Sequence, residues 1–209
     1  ISEYLKYLLK PFALFIVIQL LTHYKADAQN NIYIVENGGD IEGEGWILED
    51  GLIETTADVS INASTLLNKL QEGPTEISAS YIGIEASIIS TSANRLTLKA
   101  SENIDISSNI TIQTNGGDIV FWTNPAASNS ISGHIRLNAG VALNTTNGST
   151  DSGLSGGGAI ILAGGDDADN NNLPDGFAKT NSTYAIRLDA GVQFHSGGGD
   201  VTLKGETYS

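Results

Sequence analysis

The stretch Arg95-Leu96-Thr97-Leu98-Lys99-Ala100-Ser101-Glu102-Asn103-Ile104-Asp105-Ile106-Ser107-Ser108-Asn109-Ile110-Thr111-Ile112-Gln113-Thr114-Asn115-Gly116-Gly117-Asp118-Ile119-Val120-Phe121 alternates apolar and polar side chains at period two. Such alternation turns one side chain of each pair into a core and the next into solvent, the signature of half-buried strands. The strand starts at 96, 104, 110 and 119 lie 8, 6 and 9 residues apart. Spacings this short leave no room for crossover helices, and hairpins more often show paired two-residue turn signals than this single-Asn and Gly-Gly punctuation. Short strands that keep turning in one sense wind into a coil, with three faces in roughly 20 to 25 residues. The fold class that follows is all-β: a right-handed parallel β-helix with short inserted loops and one short helix, the hand coming from the general preference of parallel crossovers.

The same frame recurs downstream. Gly116-Gly117-Asp118-Ile119-Val120-Phe121, Gly157-Gly158-Ala159-Ile160-Ile161-Leu162 and Gly198-Gly199-Asp200-Val201-Thr202-Leu203 place their second glycines at 117, 158 and 199, 41 residues apart both times. A second unit, Ile135-Arg136-Leu137-Asn138-Ala139-Gly140, returns 51 residues later as Ile186-Arg187-Leu188-Asp189-Ala190-Gly191. Two coils per 41-residue period fit a coil of that length, and the unequal repeats call for insertions. Glycine pairs are expected where the backbone turns through positive φ and where a side chain would strike the neighbouring coil. In the Gly-Gly-Asp turns of Asp40, Asp118 and Asp200 the carboxylate is expected to bond its own turn.

One segment breaks the pattern. Ser64-Thr65-Leu66-Leu67-Asn68-Lys69-Leu70-Gln71 reads as a two-turn helix with Ser64 as N-cap, stopped by Gly73-Pro74. Together with Ser60-Ile61-Asn62-Ala63, Ile77 to Ile84, Arg95 to Ala100 and Ile104 to Ile112, it resembles the recurring segment of filamentous-haemagglutinin-like and related β-strand-repeat surface proteins, over residues 55 to 205. The resemblance implies a right-handed β-helix, surface display or release by a Gram-negative bacterium, and an adhesive or scaffolding role. No Asn-rich secretion-domain signature follows Gln29.

The chain has 209 residues, 24 Gly, no Cys, no Met, and 10 basic against 24 acidic side chains, for a net charge of −14. That balance argues against a nucleic-acid binder, which needs a basic face, and equally against docking on anionic lipid. Zero Cys excludes a disulfide scaffold and thiol chemistry. Lys6 and Lys10 precede an apolar run from Phe12 to Leu21, too short to span a bilayer, and Ala26-Asp27-Ala28 supplies the small side chains of a signal-peptidase site. The expected organisation is a signal peptide over 1–28, N-terminal strands forming the start or cap of the solenoid over 29–56, and β-helix repeats over 57–209, truncated at the C-terminus. Absence of Met agrees with a fragment. Cleavage removes Glu3, Asp27, Lys6, Lys10 and Lys25, leaving 7 basic and 22 acidic groups, about −15.

The best candidate for a specific site is Asp167-Ala168-Asp169-Asn170-Asn171-Asn172-Leu173-Pro174-Asp175-Gly176. Oxygen side chains at relative positions 1, 3, 5 and 9, namely Asp167, Asp169, Asn171 and Asp175, with the Leu173 carbonyl, are what a Ca²⁺ loop offers. Asn172 stands where Gly is usual, and Ala178 at position 12 cannot give a bidentate carboxylate. Arg136 and Arg187 occupy equivalent outward positions, as a solubilising face or a ladder toward a glycan. His134 and His195 show no partner in sequence. Phe121 is expected in the core and Trp122 over a coil edge. No catalytic residue and no small-molecule cofactor is expected. The expected function is a secreted or surface-displayed adhesin or stalk that meets host or neighbouring-cell glycans or proteins, with membrane contact only through regions beyond this sequence. A polysaccharide-active enzyme and a passive carrier stalk are the alternatives.

Overall fold

The computed structural model describes residues 30–38, 46–49, 51–55, 57–125, 133–147, 156–181 and 183–208. The expected signal peptide and Asp40 lie outside them. The alternating pattern resolves into three parallel ladders, so the chain is a right-handed β-solenoid.

Face A stacks β3 (Leu52–Thr55), the first half of β5 (Thr75–Ile84), the first half of β7 (Leu96–Ile106), β9 (Ile119–Thr123), β12 (Ile160–Gly164) and β16 (Val201–Leu203). Face B stacks β4 (Val59–Asn62), β1 (Asn31–Val35), the second halves of β5 and β7, β10 (Ile135–Leu137) and β14 (Ile186–Leu188). Face C stacks β6 (Ile88–Ile89), β8 (Thr111–Gln113), β11 (Ala142–Asn144) and β15 (Gln193–His195). β2 (Trp46–Glu49) adds an antiparallel edge to β3, and β13 (Ala178–Thr180) pairs with β17 (Gly205–Thr207). β1 is out of order: it lies between β4 and β5, so the N-terminal segment is threaded into the stack rather than laid on its end.

Register corrects the reading of the repeat. Thr75, Leu96, Ile119, Ile160 and Val201 are successive partners on face A, so Ile119 to Ile160 is one coil, not two. Ile135 and Ile186 are likewise adjacent on face B. The periods differ because the insertions sit on different sides. In one coil the long excursion is the return from face C to face A, between Asn144 and Ile160. In the next it lies between Gly164 and Ala178, ahead of face B.

Inward rows of Ile, Leu and Ala are fully buried, among them Ile77, Leu98, Phe121 and Leu162 on face A and Ile82, Ile104 and Ile135 on face B. Each such side chain contributes on the order of 1.5–3 kcal/mol by leaving water. The Gly pairs behave as expected. Gly116 has φ 99° and Gly198 φ 103°, while a Cβ on Gly158 would lie 2.4 Å from the Gly117 carbonyl carbon. Buried Thr114 and Thr145, which sequence reading passed over, close these corners by donating to the Gly117 and Gly158 carbonyls.

Helix α1 (Ala63–Glu72) replaces face C in the first coil and buries Leu66 and Leu70. Its N-cap is Asn62, not Ser64: Asn62 Oδ1 accepts from the Ser64 amide at 3.0 Å and from the Ser64 hydroxyl at 2.8 Å. At the other end Asn94 Nδ2 donates to the Leu70 carbonyl at 2.9 Å. No helix among the described residues is long and apolar enough to cross a membrane.

Candidate functional site

The acidic segment is an insertion with a closed neck. Gly164 and Gly176 form an antiparallel bridge, and the Asp175 amide donates to the Asp166 carbonyl at 3.0 Å, so residues between them leave the coil and return to it. The loop folds back on the outer surface of face A. Trp122 Nε1 donates to the Gly165 carbonyl at 2.6 Å, and Val120, Trp122 and Ala163, all outward residues, are buried. Trp122 is therefore covered by the insertion instead of capping a coil edge. Phe121 is in the core, as read from sequence.

Within the loop the carboxylates of Asp167, Asp169 and Asp175 each bring an oxygen within 4.8 Å of the others. Backbone amides hold them there. Asp167 Oδ1 and Oδ2 accept from the Asn171 and Asn172 amides at 2.9 Å each, and Asp175 Oδ2 accepts from Ala168 at 2.7 Å and from Asp169 at 3.2 Å. Asn170 and Asn172 adopt φ of 58° and 61°, the left-handed turns that let alternate residues converge. Asn171 meets the cluster through Nδ2, which donates to Asp169 Oδ2 at 2.9 Å. Three of the four expected ligands thus converge as carboxylates. Turning the Asn171 amide over would present its oxygen as the fourth. A carboxylate oxygen that accepts one N–H retains a lone pair, so the set suits a hard cation.

A second constellation lies on the outer surface of face B, where sequence reading had placed only two arginines. Tyr33, Gly83, Asp105, Arg136 and Arg187 are successive partners in one outward row. The Tyr33 and Tyr81 rings lie 5.6 Å apart at 47° and lean over Gly83, where a Cβ would come within 2.8 Å of Tyr33 Cδ1. His134 does have an acidic partner, 29 residues back in sequence and one coil back in space: its Nε2 lies 3.2 Å from Asp105 Oδ1. The His134 ring also stands edge-on to Tyr184, whose face carries Arg187 at 5.2 Å. Arg136 and Arg187 share Asp189, at 3.5 and 2.6 Å. The His195 ring meets the Gln193 amide oxygen at 3.0 Å, with no carboxylate beside it among the described residues.

Burial works to raise the Asp105 carboxyl, but the hydrogen bond and charge of His134, the Tyr81 hydroxyl and Arg136 outweigh it and hold it below the usual carboxylate range. Burial, then the neighbouring Asp105 charge, push the Tyr81 phenol well above its ordinary value. Asp105 thus stays ionised and accepts from a neutral Tyr81. Nothing in sequence marked this arrangement, because its members are contributed by successive coils.

Comparison with protein-family models, with curated proteins and with solved structures gives no match. The family resemblance read from the sequence therefore rests on its own motifs, and what stands from the structure is a parallel β-solenoid of repeating coils.

Proposed function

We propose that this chain is an exported adhesin module of the filamentous-haemagglutinin-like kind, displayed on or released from a Gram-negative cell. It acts as a rigid stalk whose outer ladder engages glycans of host or neighbouring cells. The observation that carries this reading is the outward row on face B. Paired tyrosines at one end, an ionised Asp105 and two guanidiniums offer a flat apolar surface beside fixed acceptors and donors, which is the chemistry a sugar face and its hydroxyls require. Coils stack about 4.8 Å apart, so the row sets unlike groups side by side along the stalk, with the guanidinium alone repeated at Arg136 and Arg187.

Calcium belongs to the same reading. The three converging carboxylates offer hard oxygen ligands that favour Ca²⁺ over softer metals, and a bound ion, with the Asn171 amide turned to present its oxygen, would fasten the loop. The test of the adhesin is binding of the mature chain to immobilised glycans, compared with the Tyr33→Ala/Tyr81→Ala variant. Loss of binding by a variant that is still folded is expected, with some loss of thermal stability because Tyr81 bonds Asp105, and equal binding by the folded variant would overturn the assignment of the surface.

One observation favours an enzyme instead. Asp105 joins His134 and Tyr81 in a hydrogen-bonded relay, an arrangement that can hold a proton acceptor beside a polysaccharide. Depolymerisation of a bound polysaccharide that stops in His134→Ala would establish that reading; binding without turnover would remove it.

A further inference from the structure

Where the inserted loop bends back over face A it roofs a cleft of about 220 Å³ that lies apart from the face B row and shares only Asn172 with the acidic loop. Its floor is Glu76 and Thr97, partners on neighbouring coils, and its walls include Pro74, Arg95 and the loop's Asn172.

Arg95 is the anomaly. In a chain with 24 acidic and 10 basic side chains a guanidinium ordinarily finds a carboxylate. The other described cations on this face do find partners. Lys99 lies 3.5 Å from Glu76 Oε1 and 4.3 Å over the Trp122 ring, and Lys204 Nζ donates to the Asp175 carbonyl at 3.3 Å. Half-buried Arg95 has neither ion pair nor side-chain hydrogen bond among the described residues. Carboxylates of the adjoining coils are committed elsewhere, Glu76 to Lys99 and Asp118 to the Ala159 amide at 2.7 Å.

A guanidinium stays charged, and its planar fork matches a carboxylate through two parallel hydrogen bonds. The rest of the lining narrows the choice. Glu76 and the nearby loop carboxylates repel a doubly charged phosphate. Among the described residues no aromatic side chain lines the cleft to stack on a base. Thr97, Asn172 and Glu76 suit ring hydroxyls, while Leu52 and Pro74 offer an apolar strip to the C–H face of a sugar. The volume admits one ring.

We infer that this cleft binds a single uronic acid residue, with its carboxylate on Arg95 and its hydroxyls on Thr97, Asn172 and Glu76. The site is separate from face B and goes beyond the adhesin reading.

The experiment is titration of D-galacturonate into the mature chain, followed by amide chemical shifts at Thr97 and Asn172. Galactose and acetate serve as separate arms. Saturable shifts confined to the cleft are expected, with affinity falling on the order of tenfold or more in Arg95→Ala and for either control ligand. Arg95→Gln keeps the packing of the stem and serves if the alanine variant unfolds. Binding in Tyr33→Ala/Tyr81→Ala stays as in the parent, which separates this site from the face B ladder. No saturable shift in the parent, unchanged affinity in both Arg95 variants, or acetate binding as tightly as galacturonate would each overturn the inference.

Discussion

Asp118 and Ala159 stand 41 residues apart in sequence and one coil apart in space, joined by a 2.7 Å hydrogen bond from the Ala159 amide to Asp118 Oδ1. The aspartate of the Gly-Gly-Asp corner therefore does not bond its own turn. It bonds the next coil, just ahead of the Ile119–Ile160 ladder, and gives the Ala159 amide its partner. At Asp118 the corner thus carries both the turn and the stitch to the next coil.

Replacing Asp118 with Ala removes a charge-assisted bond and leaves the Ala159 amide to water. A loss of about 1–3 kcal/mol is expected by denaturant unfolding, with Asp118→Asn keeping part of it. Equal stability of all three proteins would show that the stitch contributes nothing.

Two glycines separate close approach from mere occurrence. Gly158→Ala would put a Cβ within 2.4 Å of the Gly117 carbonyl carbon, so neighbouring coils must part, at a cost of at least about 1–3 kcal/mol. Gly73 has extended backbone, φ −178°, and open space around it, so Gly73→Ala is expected to stay within about 0.5 kcal/mol of the parent. Thermal melts of the two variants check the contrast.

The Asp105 relay has a pH signature. Its carboxyl is lowered in the folded chain, so its stabilising contribution is complete above the unfolded carboxylate value and is lost as pH falls through the lower folded value, below about pH 4. Tyr81 is raised, so its contribution is complete below the unfolded phenol value of about 10 and disappears as pH rises beyond it. Unfolding followed against pH should show both limbs in the parent. Asp105→Asn should flatten the acid limb and reduce the alkaline one.

Trp122 reports on the loop that covers it, since its indole nitrogen bonds the Gly165 carbonyl. In a Trp46→Phe background, Ca²⁺ should change Trp122 emission and raise the protease resistance of the loop. Asp169→Ala and Asp175→Ala should abolish both effects. A parent protein in which Ca²⁺ changes neither emission nor cleavage carries no calcium loop.

The fold was legible because period-two alternation and glycine corners are local. Leu96, Leu98, Ile104 and Phe121 face inward for the reason their spacing gives, and Gly116 and Gly198 turn through positive φ where the pattern breaks. Coil length was misread because the spacing of Gly117, Gly158 and Gly199 does not distinguish two bare coils from one coil with an insertion; only strand register does. The acidic triad was legible for a similar reason: alternating Asp residues lie within one short loop. The His134–Asp105–Tyr81 contact and the cleft at Arg95 were not, since each joins residues from different coils, and sequence order carries no register.

The placement of the strands from Ile119 onward rests on one 41-residue period winding one coil, and the cysteine-free chain permits a direct test. Arg136 and Arg187 are partners on adjacent coils. In an Arg136→Cys/Arg187→Cys variant the two Cα atoms lie about 4.8 Å apart, within the range of about 4.4–6.8 Å that a disulfide spans, so mild oxidation should give an intramolecular bridge in the folded protein. Were two coils wound per period, another coil would lie between them and the separation of about 9.6 Å would forbid the bridge. Rapid, quantitative crosslinking under native conditions is the predicted result; free thiols that persist while the chain remains folded would contradict the account.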